Sequence, residues 1–377
     1  MAGGEKSRAW IELDMEHLRN NVRYFKRILP KDCALMPAVK ANAYGHGAIP
    51  VAKVLAEEQI THFCVASVSE GIQLREAGID GEILILGYTA PECLAEIEAY
   101  ALTQTVVDAA YGRELAESGH TLLVQIGVDT GMHRLGEEWT NVKDIAELFG
   151  YRNLKVTGVF SHLCTSDGAG EREAAFAREQ IRRFNVIVEA LHARGFHDFK
   201  THLQGSYGIL NYPDCRYDCV RPGIALYGVL STEEDITRIP FMTKPVLSLK
   251  TRVECVRTLA EGESAGYGLA YTAGRESRIA VLSIGYADGI PREISGKGYV
   301  LIHGEKAYVV GRVCMDQMFV DIKPLHSSRR VQMHDEAVLI GSSEGACISA
   351  EQFAAFTGTI SNEVLSRLGS RLCRFAC

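Results

Sequence analysis

The sequence predicts an α/β protein, built as a (β/α)8 barrel at residues 1–240 followed by a mostly antiparallel β domain at residues 241–377. Two observations lead to this prediction. From residue 30 to about 230, short runs of β-forming apolar residues alternate with segments of helical period, as expected for parallel strands joined by helices. After Pro245, strand-like segments follow one another across Gly-rich turns without long helices between them.

Eight apolar runs carry the barrel prediction. They lie at residues 34–39, 62–66, 82–87, 104–107, 121–126, 156–160, 199–204 and 217–220. Eight parallel strands close into a barrel whose interior is filled by branched side chains and whose chemistry lies at the carboxyl ends of the strands. An earlier stretch, at about 8–14, is expected to pair with the β domain instead.

Helical period is clearest from Glu171 to Arg194, and Gly195 supplies the stop. One side of this helix is expected to face the core, with Phe176, Ile181, Phe184, Val188 and Leu191. In the second half, Ser349 and Gln352 form a capping box that predicts a helix start, and a further helix is expected near Ser361.

Composition excludes several classes of function. A net charge of −7 provides no basic field for nucleic acid. The eleven Cys residues form no CxxC pair and are odd in number, which disfavours a zinc ribbon or a disulfide framework and favours a reducing cytoplasm. No metal site is predicted. No apolar run approaches the roughly 20 residues of a membrane span, and the opening MAGGEKSRAW lacks a signal-peptide core.

The segment AVKANAYGHG, at residues 38–47, is the most informative part of the chain. An apolar run delivers Lys40 to its end, and a Gly-bracketed turn follows. A lysine at the mouth of a buried strand is partly desolvated, so its neutral amine becomes available to form a Schiff base with an aldehyde cofactor. Taken alone, the same pattern also fits an ordinary solvated lysine.

The chain resembles the alanine racemase family of pyridoxal-phosphate enzymes from end to end. The resemblance rests on VKANAYGHG, VDTGMHRLG at 128–136, FSHL at 160–163, CVRPGIALYG at 219–228, AGYGLAYTA at 265–273, SIGYADG at 283–289 and GRVCMDQM at 311–318. Seven matches in family order across both halves make chance a poor explanation. The resemblance implies pyridoxal 5'-phosphate as the cofactor and an amino acid as the substrate.

The resemblance assigns two bases to opposite faces of the substrate. Lys40 binds the cofactor and is one base, and Tyr267 is the other. Tyr267 requires a nearby positive charge that lowers its pKa from about 10, and His162 matches a family residue placed close by. Family members place the β domain over the barrel mouth of a partner chain, which implies a homodimer with shared sites. Three further residues match the shared entry: Tyr286, Met315 and Asp316.

Other matches concern the cofactor and the substrate carboxylate. Arg221 matches the arginine that faces the pyridine nitrogen, where a guanidinium leaves that nitrogen unprotonated and restricts side reactions. The phosphate is expected on the backbone amides of Gly223 and Ile224 and the hydroxyls of Ser206 and Tyr44. Arg134 matches the arginine that binds the substrate carboxylate. Taken alone, Arg221 would be interpreted as a surface ion-pair partner, and Ser206 would indicate nothing.

Three positions depart from the family pattern. Gly127 stands where many members have a lysine, often carbamylated, that braces the carboxylate arginine, and Gly205 replaces an asparagine beside Ser206. Asn362 replaces a tyrosine, which frees volume beside the substrate β-carbon and adds a donor and an acceptor for a serine hydroxyl. This feature resembles the serine racemases of vancomycin-resistance systems, in which a membrane-embedded domain precedes the racemase domain. The alternative is that Asn362 is a helix N-cap.

The function expected from these features is interconversion of L- and D-serine, with alanine racemisation as well, to supply D-amino acids for cell-wall precursors. The alternatives are a plain alanine racemase, a barrel-type pyridoxal-phosphate decarboxylase and a non-catalytic pyridoxal-phosphate-binding protein. The expected location is cytoplasmic, either as a free protein or as the cytoplasmic domain of a membrane-anchored one. This segment itself is expected to contact neither membrane nor nucleic acid.

Overall fold

The structure is a computed structural model that describes residues 6, 8–168, 170–325 and 330–377. Most of the segment before the first strand therefore lies outside the described residues. Strand β1 (Ala9–Leu13) belongs to the sheet of the C-terminal half: it pairs antiparallel with residues 247–251 and parallel with residues 373–376. The pairing of the first strand with the β domain is thus observed, whereas the boundary between residues 240 and 241 stays a prediction.

Eight parallel strands form the barrel, and each of the eight predicted runs overlaps one of them. The strands, with a short β7 appended to β6, are β2 (Ala34–Leu35), β3 (His62–Val65), β4 (Glu82–Ile85), β5 (Thr103–Val106), β6 (Leu122–Asp129), β7 (Glu137–Glu138), β8 (Leu154–Phe160), β9 (Lys200–His202) and β10 (Cys219–Val220). Their spatial order is β2-β10-β9-β8-β6-β5-β4-β3, and a bridge between Ala38 and Cys64 joins the two ends. The barrel prediction is confirmed.

The interior of the barrel differs from the expectation of branched side chains. Its separate apolar cluster contains no β-branched residue and consists of Met36, Ala38, Cys64, Leu84, Phe160 and Cys219. Gln125 and His202 are fully buried as well and hydrogen-bond to each other. Polar side chains therefore occupy part of the space that branched residues fill in other barrels.

Helices pack around the barrel and complete the β domain. They are α1 (Met15–Ile28), α2 (Ala48–Glu57), α3 (Val68–Glu76), α4 (Leu94–Ala99), α5 (Ala109–Glu117), α6 (Val142–Glu147), α7 (Glu171–His192), α8 (Ser206–Asn211), α9 (Ala350–Ala355) and α10 (Ser361–Ser366). The buried side of α7 is rotated from the prediction, because Phe176, Ile181 and Val188 are only partly buried while Gln180 is fully buried. Gln180 is tolerated there because it is fully hydrogen-bonded.

The β domain is built on a second, mostly antiparallel sheet of nine strands that includes β1. Its other eight strands in the described residues are β11 (Leu247–Leu259), β14 (Ser277–Leu282), β15 (Tyr299–Ile302), β16 (Glu305–Val310), β17 (Met318–Asp321), β18 (Glu336–Ser343), β19 (Ala346–Ile348) and β20 (Cys373–Ala376). Strands β12 (Ser264–Ala265) and β13 (Tyr271–Thr272) form a separate two-stranded hairpin. The strand-like segments expected after Pro245, at residues 246–256, 278–286, 299–304, 307–313, 318–322 and 336–341, each contain or overlap a strand. The hairpin β12–β13 and the strands β19 and β20 were not predicted.

Candidate active site

A cavity of about 660 Å³ opens at the carboxyl ends of the barrel strands. Nine of the residues predicted for the site line it: Lys40, Tyr44, Arg134, His162, Ser206, Arg221, Gly223, Ile224 and Asn362. A second cleft, of about 870 Å³, lies beside α7 and contains none of them. The barrel therefore gathers residues from distant parts of the chain at the end where barrels of this kind place their chemistry.

Lys40 follows the bridge that closes the barrel. The Val39 amide donates to the Cys64 carbonyl at 2.9 Å, and the Ala41 amide donates to Glu70 Oε1 at 2.7 Å, so the backbone is fixed on both sides of the lysine. Burial lowers the pKa of Lys40, and the positive charge of Arg134 lowers it further. The neutral amine is thereby more accessible than in a solvated lysine.

The four residues after Lys40, Ala41 to Tyr44, form a left-handed turn with φ between 51° and 54°. Such a conformation costs roughly 1–2 kcal/mol for each residue that carries a Cβ. Asn42 supports the turn by accepting from the Ala48 amide at 2.8 Å, and Gly45 and Gly47 continue it with positive φ. Local propensity disfavours this conformation, so tertiary contacts maintain it, and strain of this kind is typical of functional sites.

The turn brings the Tyr44 hydroxyl to the loop after β10. A Cβ added to Gly223 would lie 2.8 Å from Tyr44 Oη, so glycine is required for this approach. Ser206 Oγ accepts from the amides of Gly223 at 2.9 Å and Ala225 at 3.2 Å. Burial raises the pKa of Tyr44 to about 12, so its hydroxyl remains a donor.

This group of hydroxyls fits a phosphate. The Tyr44 hydroxyl has no hydrogen-bond partner among the described residues, and the Ser206 proton is free because Oγ only accepts in the contacts above. The Ile224 amide opens a short helical turn, where the first amides have no partner within the turn. The Gly223 amide, which was expected to bind phosphate, is already engaged by Ser206.

Arg221 is buried at the side of the cavity and is held through both terminal nitrogens. Its Nη2 donates to the Ser161 carbonyl at 2.6 Å and to His162 Nδ1 at 3.2 Å, and its Nη1 donates to His202 Nδ1. Its guanidinium lies over the Phe160 ring at 5.1 Å. Burial lowers the pKa of Arg221 to about 10, which still leaves it charged at neutral pH. Within the described part of the chain, Nε is the one guanidinium nitrogen without a partner.

His162 is neutral at physiological pH, because burial and then the charge of Arg221 lower its pKa to about 3. It therefore does not supply the positive charge that was expected to act on Tyr267. Gln180 holds this segment by donating to the His162 carbonyl at 3.1 Å and accepting from the Cys164 amide at 3.0 Å. Packing explains why position 205 is a glycine, since a Cβ there would lie 3.1 Å from His162 Cε1.

Arg134 is exposed at the rim and forms no ion pair with any described residue. Gly127 lies on β6, where a Cβ would be 3.3 Å from the Val106 carbonyl oxygen, so little space is available for a bracing side chain. Arg134 lowers the pKa of both Lys40 and Arg221, and Arg221 also lowers the pKa of Lys40, which shows that uncompensated positive charge is concentrated in the cavity. Such a cavity favours anionic groups, such as a phosphate and a carboxylate.

Asn362 lies in the first turn of α10. The N-cap of this helix is Ile360, so the N-cap interpretation of Asn362 is wrong. Asn362 Oδ1 instead accepts from Ser231 Oγ at 2.9 Å, and both residues line the cavity. The Ser361 amide donates to the Ser231 carbonyl at 2.9 Å, which fixes the two segments together. The amide group of Asn362 keeps Nδ2 as a further donor.

The other four predicted residues do not line this cavity within the single chain. Tyr267, Tyr286 and Met315 are exposed on the β domain, with 70%, 41% and 53% of their surface accessible. Tyr286 and Met315 lie on adjoining loops, because the amides of Tyr286 and Ala287 donate to the carbonyls of Cys314 and Met315 at 3.0 Å. Asp316 pairs with Arg371 at 2.7 Å. Their contribution to the site stays a prediction.

Sequence reasoning missed the residues that hold the site in place. These are Gln125, Gln180, His202 and Ser231, which are polar residues in segments that read as barrel strand, amphipathic helix or loop. A polar residue at a position expected to be buried was the available signal. Among the described residues there is no group of three or more His, Cys, Asp or Glu side chains arranged to hold a metal ion. No helix in the described ranges is both long and apolar enough to cross a bilayer.

Comparison with known proteins agrees with this geometry. The models for the alanine racemase N-terminal and C-terminal domains match residues 13–231 and 246–376. An alanine racemase of Carboxydothermus hydrogenoformans is 40% identical over 369 residues, which cover 97% of this chain and 98% of the relative. A serine/alanine racemase of Enterococcus gallinarum is 36% identical over 366 residues, which cover 97% of this chain and 51% of the relative.

Solved structures give the same result. Alanine racemase from Bacillus anthracis, with bound L-Ala-P, superimposes with a TM-score of 0.92 at 30% identity, covering 100% of this chain and 96% of that one. Alanine racemase from Bartonella henselae, with covalently bound pyridoxal phosphate, gives a TM-score of 0.85 at 27% identity, covering 98% and 100%. The chain belongs to the alanine racemase family.

Proposed function

We propose that this chain is a pyridoxal-phosphate-dependent racemase that interconverts L- and D-serine and also L- and D-alanine. The observation that carries the proposal is the cavity at the barrel mouth, where a desolvated lysine, two further cationic groups and a set of free hydroxyl donors face one space. When bound, pyridoxal phosphate supplies an electron sink that makes the α-proton of an amino acid removable.

Residues that line the cavity would bind the cofactor and move the proton. Lys40 holds the cofactor and moves a proton at Nζ on one face of the substrate. Tyr44, Ser206 and Ile224 would bind the phosphate group, because the Gly223 amide is engaged by Ser206, and Arg221, whose Nε is free, would face the ring nitrogen.

His162 and Arg134 complete the cavity. Neutral His162 accepts from the Arg221 guanidinium and so helps to fix its direction. Arg134 binds the substrate carboxylate, a group that matches the fork of a guanidinium.

The second base is Tyr267 of the partner subunit in a homodimer, with Tyr286, Met315 and Asp316 at the shared entrance. Exposure of Tyr267 on the β domain supports this arrangement, because a catalytic phenol has no use on a free surface. Mixing Lys40→Ala chains with Tyr267→Phe chains tests it. Shared sites predict that the inactive variants regain activity on mixing, since each mixed dimer contains one intact site. Sites contained within one chain predict no recovery.

The preference for serine rests on Asn362 and Ser231. Their hydrogen bond holds the amide at the cavity wall, where Nδ2 remains available to a substrate hydroxyl. A tyrosine at this position would fill the space with an apolar ring. The serine/alanine racemase relative lends further support. The eleven free cysteines favour a cytoplasmic location, and cell-wall precursors are the proposed destination of the D-amino acids.

The substrate proposal is tested by chiral analysis after incubation with L-serine and with L-alanine. We expect both to be racemised, and Asn362→Tyr to shift the serine-to-alanine ratio of kcat/KM toward alanine by about ten- to a hundredfold. Ser231→Ala removes the hydrogen bond without adding bulk and should produce a smaller shift in the same direction. A protein that turns over alanine but not serine, or an unchanged ratio in Asn362→Tyr, would contradict the serine proposal and leave alanine racemisation.

A further inference from the structure

Arg221 is connected to the opposite end of the barrel by a continuous series of buried hydrogen bonds. Its Nη1 donates to His202 Nδ1. His202 Nε2 lies 2.5 Å from Gln125 Oε1, and Gln125 Nε2 donates to Glu82 Oε1 at 2.7 Å. Arg221 follows the carboxyl end of β10, whereas Glu82 is the first residue of β4. The series therefore spans the barrel from its mouth to its floor.

Each bond in this series fixes the direction of the next. The guanidinium can only donate, so His202 Nδ1 must accept and its proton must lie on Nε2. That proton requires an acceptor, which Gln125 provides only when Oε1, and not its NH2 group, faces the imidazole. The carboxylate of Glu82 selects this orientation, because it accepts from the amide NH2 on the other side.

Counting donors and acceptors in the same way excludes the reversed orientation of the Gln125 amide. If the Gln125 amide were turned over, its NH2 would face His202 and force the imidazole proton onto Nδ1. Two donors would then face each other between His202 and Arg221. Protonating His202 does not remove this conflict between donors, because burial and the Arg221 charge lower the pKa of His202 well below its usual value. An amide does not readily pass a proton onward. The series therefore fixes which atoms donate and which accept, but it does not conduct protons.

We propose that Glu82 and Gln125 are positioning residues of this site, which fix the tautomer of His202 and through it the direction of the Arg221 guanidinium at the cavity. Several neighbouring side chains hold the Glu82 carboxylate in place. It also accepts from Thr157 Oγ1 at 3.2 Å, and it pairs with Lys200 at 3.5 Å and His62 at 3.7 Å. The carboxylate is thus held by several partners at one end, while Arg221 leaves Nε unpaired at the other.

This inference rests on the proposed function, in which Arg221 faces the cofactor ring. Gln125→Leu removes the acceptor of His202, and Glu82→Gln removes the charge while keeping the shape. We expect a drop in kcat of about ten- to a hundredfold for Gln125→Leu and about three- to tenfold for Glu82→Gln, with KM changed less. The absorption band of the bound cofactor should move in both variants, because the donor at its ring changes direction.

Two further variants separate positioning from a general loss of packing. Gln104→Leu is the matched control: Gln104 is equally buried and hydrogen-bonded to Thr89, but it is not part of the series. It should leave the absorption band unchanged. The exchange variant Glu82→Gln/Gln125→Glu restores every donor and acceptor with the charge one step nearer to His202. We expect it to recover kcat to within about threefold of the unaltered chain.

The ¹⁵N chemical shifts of the His202 ring report the tautomer without reference to the cofactor or to turnover. We expect the proton on Nε2 in the unaltered chain and a mixture in Gln125→Leu. Unchanged absorption and unchanged tautomer in both single variants would overturn the proposal, as would an exchange variant no better than the singles. If Gln125→Leu does not fold, the absorption band and the His202 ¹⁵N shifts of Glu82→Gln test the proposal. Failure of the unaltered chain to take up pyridoxal phosphate would instead count against the proposed function.

Discussion

The turn that carries Lys40 is expected to depend on glycine at position 45 for two separable reasons. Gly45 has φ of +79°, where an alanine costs about 1 kcal/mol relative to glycine. A Cβ there would also lie 2.9 Å from the Leu365 carbonyl carbon and closer still to its oxygen. Since both neighbours are backbone atoms of α10, the helix or the turn must move, which adds about 1–3 kcal/mol. We predict a total destabilisation of about 2–4 kcal/mol for Gly45→Ala.

The chain offers a close control. Gly78 has φ of +80°, but a Cβ there would meet nothing within 4 Å, so Gly78→Ala isolates the backbone term. With an unfolding entropy of about 2 cal/mol/K per residue, 1 kcal/mol corresponds to roughly 1 °C in a chain of this size. Thermal unfolding should therefore show a Tm lower by about 1 °C for Gly78→Ala and by about 3–5 °C for Gly45→Ala.

The same variant should affect the substrate, because α10 carries Asn362. Gly45→Ala is expected to raise KM for serine, while Gly78→Ala leaves it unchanged. Equal Tm shifts in the two variants would show that the contact with Leu365 is relieved without cost. In that case the turn would not be locked against α10, and the reasoning would be refuted.

Two further predictions concern the cofactor and pH. Ser206→Ala leaves the buried Gly223 amide unsatisfied and removes a phosphate donor, so the dissociation constant for pyridoxal phosphate, measured by spectroscopic titration, should rise about tenfold or more. Burial lowers the pKa of His46 to about 4. Because this value is below that of the unfolded chain, the unfolded state binds the proton first, and stability falls as pH drops from 7 toward 4. His46→Asn should reduce the stability lost between pH 8 and pH 5 by about 2 kcal/mol, and an identical pH profile would contradict this assignment.

Patterns in the chain were enough to predict the barrel, the β domain and nine of the residues that line the cavity. Hydrophobic periodicity is a local property, so each of the eight barrel strands could be found from a few neighbouring residues. Lys40 and Arg221 were found because strand ends of a parallel barrel meet at one mouth, and motif matches supplied their roles.

How these residues are held depends on contacts between distant parts of the chain. The left-handed turn at Ala41 to Tyr44 opposes local propensity and exists because distant contacts support it. Ser231 and Asn362 are 131 positions apart, and the series from Glu82 to Arg221 joins four strands or strand ends. A buried polar residue is tolerated only when the fold brings it a partner, and no local pattern records which distant residue that partner is.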